Sequence, residues 1–119
     1  MANELKIVVA MNYSKNGINL NYAKSMGIDI SGDSITWAEE QTVGTSEEAL
    51  TFSEDISTLG RVLLVNLDSA NYVEYGISTG VYHIKSLAGE FESFRPNANT
   101  LYAKANTDAV KILKLILAN

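Results

Sequence analysis

Asp68 and Glu74 are the two carboxylates with the best claim to chemistry. They lie in LLVNLDSANYVEYG, residues 63–76, beside Asn66, Asn71, Tyr72 and Tyr75. Paired carboxylates can share general acid–base work, or can gather a calcium ion. Such a pair needs a fixed separation and an environment that drives the two pKa values apart. The stretch encodes neither. Asp68 and Asn71 bracket Ser69-Ala70, and Asp and Asn side chains bond to nearby backbone groups, which favours turns. The spacing predicts a hairpin with Asn66 on one strand and Glu74 on the other, and no catalytic residue in it.

The remaining candidates carry no stronger signal. His83 is the single histidine. Its alternation with Tyr82 and Ile84 predicts the less apolar face of a strand, and it lacks the partner that a triad requires. Asp29 and Asp33 straddle a turn without the spacing of a calcium loop. Glu39-Glu40, Glu47-Glu48 and Glu54-Asp55 read as a solvated acidic face, not a metal cage. Residues 76–80 contain two glycines, Gly76 and Gly80, but no Lys follows and no helix opens, so they do not form a phosphate-cradling loop. Trp37 and the six tyrosines could stack on sugars, although aromatics in strands usually fill the core. The expectation is a protein that is not an enzyme, with no catalytic, cofactor-binding or metal site and no cofactor.

The elements that must hold these residues are strands. Leu5, Ile7, Val9 and Met11 alternate with Lys6, Val8 and Ala10; Ile18, Leu20 and Tyr22 alternate with Asn19 and Asn21. Asn16-Gly17 between the two runs is a strong hairpin signal, because both residues accept positive φ. A second hairpin is expected around Ser31-Gly32-Asp33, between residues 28–30 and 34–37. Short strands are expected near Leu50 and Phe52, over 61–67 as a central strand apolar on both faces, and over 72–75, 81–85, 90–94 and 100–105. Residues 46–50 could instead form one helical turn. Residues 109–117 could form a helix capped by Thr107-Asp108, but their β-branched residues favour a buried strand with Leu113, Leu115 and Leu117 on one face. Pro96 falls where an edge or turn tolerates it.

With 119 residues and 46% hydrophobic content, the chain can bury one core without staples. Turn signals recur at the spacing of an antiparallel β-sandwich or barrel. The expected fold is a single all-β domain over residues 1–119, an antiparallel β-sandwich, jelly-roll-like or Ig-like, of roughly eight to ten short strands. The formal charge of −5 argues against nucleic acid as a partner. No apolar run reaches the length of a membrane span, the N-terminal one is too brief for a signal peptide, and the expectation is a soluble protein that binds no membrane. The absence of cysteine excludes disulfides and leaves the redox compartment unread.

Four segments carry a resemblance: GTSEEAL at 44–50, GRVLLVNLDSANYVEYG at 60–76, LAGEFESFRPN at 87–97 and LYAKANTDAV at 101–110. Together they resemble small virion proteins of tailed bacteriophages, over about the C-terminal two thirds of the chain. The shared pattern is a strand ending in Asn-Leu-Asp, a Tyr-Val-Glu-like strand, a Gly-Glu-Phe hairpin ending in Phe-Arg-Pro, and a Tyr-Ala-Lys-Ala strand. The N-terminal third matches only in being rich in strands. The resemblance implies a β-sandwich built into a phage particle, assembled in the bacterial cytoplasm, with no active site to carry over. It does not separate head from neck, tail or fibre.

The functional expectation is a structural virion component, foremost a capsid decoration or cement protein that is homo-oligomeric and contacts the major capsid protein or another virion protein. One alternative is a tail, neck or fibre-associated module that binds a host glycan. A second, from another class, is a small cell-wall hydrolase. A glycan binder should line up two or three aromatics on one open face. A cement protein should expose apolar residues at its edges, where unpaired strands invite assembly. A hydrolase needs two carboxylates, or a His with a partner, in one cleft.

Overall fold

A computed structural model describes residues 4–119; the first three residues of the opening segment lie outside it. The chain divides into a smaller unit ending at Ser31 and a larger one, Gly32–Asn119. Every strand pairing is antiparallel.

The smaller unit is a ribbon of two strands, β1 (Leu5–Lys15) and β2 (Ile18–Ile28), in continuous register from Leu5↔Ile28 to Lys15↔Ile18. Its turn is the Asn16-Gly17 expected from sequence. Both residues have positive φ, 52° and 80°, as a two-residue turn matched to the strand twist requires. The base is fastened by Glu4 Oε1, which accepts a bond from the Ile30 amide at 2.9 Å.

The larger unit holds eight strands: β3 (Ile35–Val43), β4 (Glu48–Ala49), β5 (Leu59–Asn66), β6 (Val73–Gly76), β7 (Ile84–Ser86), β8 (Phe91–Phe94), β9 (Tyr102–Ala105) and β10 (Val110–Ala118). They form two four-stranded sheets, ordered β3-β10-β5-β8 and β4-β9-β6-β7. The sheets share one core in a sandwich-like arrangement. Val43, Val62, Leu64, Ile112 and Ile116 come from the first sheet, and Val73, Tyr75, Ala103 and Ala105 from the second. Tyr75 stands opposite Ala103 in the β6–β9 pair, so its ring lies beside a side chain of minimal volume.

The last segment is a strand, as its β-branched residues lead one to expect. Val110, Ile112, Ile116 and Ala118 point into the core, while Leu113, Leu115 and Leu117 stand half-buried on the other side. The central position of β5 also holds, between β10 and β8. Residues 46–50 contain the short strand β4 and not a helical turn.

Two hairpins expected from the residues are absent, and so is the Gly-Glu-Phe hairpin of the resemblance, since β7 and β8 belong to different sheets. β5 and β6 do not pair: they belong to different sheets, and residues 67–72 carry the chain from one to the other. The Asp-Asn turn chemistry is present but serves an arch, because β5 takes β10 and β8 as neighbours while β6 takes β9 and β7. The second lies around Ser31-Gly32-Asp33. There β2 pairs back to β1, and β3 pairs with β10, some seventy positions further along.

Candidate interaction site

The polar residues singled out by sequence do not converge. Asp68 Oδ2 accepts bonds from the amides of Ala70, at 3.0 Å, and Asn71, at 2.6 Å. Those bonds, Asn71 first, hold its carboxyl below the usual carboxylate range. Glu74 stands opposite Lys85 and Lys104 in the ladder, and Lys85 Nζ lies 4.1 Å from the centre of the Tyr72 ring. His83 is exposed just before β7. At the two glycines, the Gly80 amide donates to Glu47 Oε1 at 2.6 Å, so a carboxylate already takes the donor that a phosphate would use. The Tyr82 hydroxyl donates to the same oxygen. That bond depresses the Glu47 pKa and pushes the Tyr82 phenol up to about 12. Among the described residues no group of three or more His, Asp or Glu is placed to hold a metal ion.

Two buried polar positions carry more structure than sequence reading gave them. Asn66 is 1% exposed. Its Nδ2 donates to the carbonyls of Asn71 and Ser86, both at 3.0 Å, and its Oδ1 accepts from the Asp68 amide at 2.8 Å. One side chain thus pins both ends of the arch and ties β5 to β7 in the other sheet. Lys114 is fully buried. Its ammonium reaches Gln41 Oε1 at 2.8 Å, the Thr51 carbonyl at 2.5 Å, Thr51 Oγ1 at 2.7 Å and Glu39 Oε1 at 3.0 Å. Gln41 Nε2 in turn donates to Glu48 Oε1 and the Ala49 carbonyl, which joins β3 to β4 across the two sheets. An ammonium has three donors, and more than three acceptors surround this one, so it is a tie and not a nucleophile. Its sequence signal is parity: position 114 shares the inward face with Ile112 and Ile116. The Tyr75 hydroxyl is also inside, and burial, with the charge of Glu92, raises its pKa, so it stays a neutral phenol.

Several large apolar side chains are open. Antiparallel partners share a face, so the register sets Val9, Met11 and Tyr13 of β1 together with Ile18, Leu20 and Tyr22 of β2 on one side of the ribbon. All six are between 45% and 69% exposed. The other side carries Asn12, Ser14, Asn19, Asn21 and Ser25, together with Ala10, Ala23 and, toward the base, the 65% exposed Val8. Trp37, 59% exposed, sits on edge strand β3 where the register slips and Ala38 takes a φ of 55°. Phe91, on edge strand β8, is 67% exposed. A shallow depression is lined by Arg95, Pro96, Asn97, Asn99 and Asn119 among others, and no aromatic ring is among its described lining residues.

No family model, curated protein or solved structure matches the chain. Fold and surface together define an all-β chain with an antiparallel two-sheet body and an amphipathic β-ribbon.

Proposed function

We propose that this chain is a structural subunit of a bacteriophage particle, foremost a decoration or cement protein of the capsid that touches the major capsid protein. The observation that carries the reading is the ribbon, whose apolar face lies open along the tip half of both strands. A single two-stranded ribbon is marginal in water, and an open apolar face of this extent marks a surface meant for another macromolecule. The body supports the reading. We propose that its eight strands form a jelly roll, for which the strand orders β3-β10-β5-β8 and β4-β9-β6-β7 speak. That architecture recurs in viral capsid domains, although fold alone never decides function. The resemblance of residues 44–110 to phage virion proteins points the same way.

Lectins also use jelly rolls, and Trp37 offers one open ring, which favours a tail- or fibre-associated glycan binder as the second reading. It is the weaker one: the ribbon face mixes Tyr13 and Tyr22 with four aliphatic or thioether side chains, which suits protein packing better than sugar stacking.

Co-sedimentation of the purified protein with empty heads tests the proposal. Binding should persist from low to high salt, because apolar burial is not screened, and occupied heads should resist heating better than bare ones. Absence of binding to heads, with binding to tails or to host polysaccharide, would move the assignment to the second reading.

A further inference from the structure

The ribbon is not the only apolar face left over. In the β3-β10-β5-β8 sheet, Leu113 pairs with Val65 and Leu115 with Leu63, on the side opposite the core; Phe91 pairs with Val65 in the next strand. Leu117 and Ile35 extend the same face. The four residues of β5 and β10 named first are half-buried by their neighbours, while Phe91 and Ile35 are open. Glu40 and Lys111, 3.6 Å apart, neutralise each other at its border.

We propose that two copies of this chain exchange ribbons, the apolar face of each ribbon lying across the outer face of the β3-β10-β5-β8 sheet of the other copy. Area selects reciprocal exchange. Strands of eleven residues make a ribbon about 36 Å long and about 10 Å wide, from the rise per residue and strand spacing. One ribbon-on-sheet contact along the whole ribbon therefore covers at most about 700 Å² over both partners, short of the roughly 1,200 Å² at which stable interfaces begin. Two such contacts, related by a two-fold axis, give at most about 1,400 Å², so that only the pair of them can reach the standard range. The same operation covers both leftover faces of each chain, and a dimer held by ribbon-on-ribbon contact would leave both sheets bare.

Charge selects the body over a second ribbon. Residues 5–28 carry Lys6, Lys15 and Lys24 and no carboxylate. Lys15 and Lys24 fall on the apolar face, opposite Ile18 and Val9. Two ribbons packed face to face would set lysine against lysine without a counter-charge, which opposes pairing. Of the nine basic and fourteen acidic residues of the chain, three and two precede Gly32, which leaves the body with six against twelve. A basic ribbon and an acidic body are complementary in net charge. The exchange does not rest on the virion reading, since it concerns only copies of this chain.

The chain has no cysteine, so single cysteines can report the contact. Leu20→Cys marks the ribbon and Leu115→Cys the sheet. With a short bismaleimide, a mixture of the two variants, one carrying an affinity tag, should give mixed covalent dimers, while each variant alone should give few. Sedimentation equilibrium of the unmodified chain should show a dimer, and Leu20→Asp, at a 61% exposed position, should raise its dissociation constant by about a hundredfold, given the value of burying a leucine at two symmetric contacts. Efficient cross-linking of Leu20→Cys with itself would overturn the exchange in favour of ribbon-on-ribbon pairing. A monomer at every concentration would also overturn it, whether it remains free or floats with phosphatidylglycerol vesicles.

Discussion

Lys114 Nζ stands 3.0 Å from Glu39 Oε1 across the β10–β3 pair, the lysine side chain wholly buried and the glutamate 53% exposed. The two ends of this ion pair are therefore unequal. Glu39 can exchange its partner for water, whereas the buried ammonium of Lys114 cannot.

Removing either end should give different outcomes in urea melts. Lys114→Ala removes the ammonium from Gln41 Oε1, which keeps the Thr51 amide as a donor, and from both Thr51 oxygens, and leaves a hole; it should cost about 2–5 kcal/mol. Glu39→Gln should cost no more than about 1 kcal/mol, because an open carboxylate contributes little through a screened ion pair. Equal effects would mean that the pair, and not the clip to Gln41 and Thr51, supplies the stability.

Acid should weaken the fold partly through Asp68. Its pKa is lower folded than unfolded, since the amides of Asn71 and Ala70 bond to the charged form. Its contribution is thus complete above the unfolded carboxylate range and is lost as pH falls through the folded pKa. Asp68→Asn retains an oxygen for those amides but cannot titrate. The melting temperature of this variant should fall less steeply than that of the parent between about pH 5 and pH 3, the span around an ordinary carboxyl. Glu92 works in the opposite sense: burial raises its pKa, so it opposes folding once pH exceeds the unfolded value, and Asp68→Asn should leave that component intact.

Gly76 and Gly44 separate a required glycine from a tolerated one. A Cβ at Gly76 would collide with the Val81 carbonyl oxygen, a backbone atom, whereas at Gly44 it would meet only Glu48 Oε2 at 3.6 Å. Gly76→Ala should destabilise by about 1–3 kcal/mol or more through forced backbone movement. Gly44→Ala should remain within about 0.5 kcal/mol of the parent, because the added methyl makes only an ordinary contact with a flexible side chain. Thermal melts of the two variants check both.

What could be read in advance followed local rules. Asn16-Gly17 announced the ribbon, since a turn with two positive φ values leaves few other choices. The β-branched residues of 109–117 gave the strand, but with both of its faces apolar they did not say which one turns inward. Partner choice was not local. Asp68-Ser69-Ala70-Asn71 encodes a turn but not whether the chain folds back within its sheet or crosses to the next, and only the claim of β10 and β8 on β5 decides that. The same holds for β3, whose neighbour lies at the far end of the chain. Lys114 suggests solvent by its charge, although its parity with Ile112 and Ile116 points inward. The openness of the ribbon was hidden for a different reason: alternation reveals an apolar face but not what covers it.

Asn66 gives the sharpest test of the arch, because its two polar atoms are not interchangeable. Nδ2 faces two carbonyl oxygens, of Asn71 and Ser86, while Oδ1 faces one amide, of Asp68. Asn66→Ala removes all three bonds at a site 1% exposed and should cost about 2–4 kcal/mol, as buried groups left unpaired do. Asn66→Asp preserves the shape and the bond from Asp68 but turns an oxygen toward the two carbonyls. A charged carboxylate there would be buried against like dipoles, so the new group should fold with its proton on and a pKa raised above the unfolded value. By linkage, its destabilisation should be small at low pH, where both states carry the proton, and should grow as pH rises from the unfolded pKa to the folded one. The parent, through Asp68, should move in the opposite direction over the acid limb. Urea midpoints of the parent and Asn66→Asp, measured from about pH 3 to pH 7 to span the ordinary carboxyl range, should therefore diverge with rising pH. A constant offset would mean that water reaches the arch and that Asn66 does not tie β5 to β7.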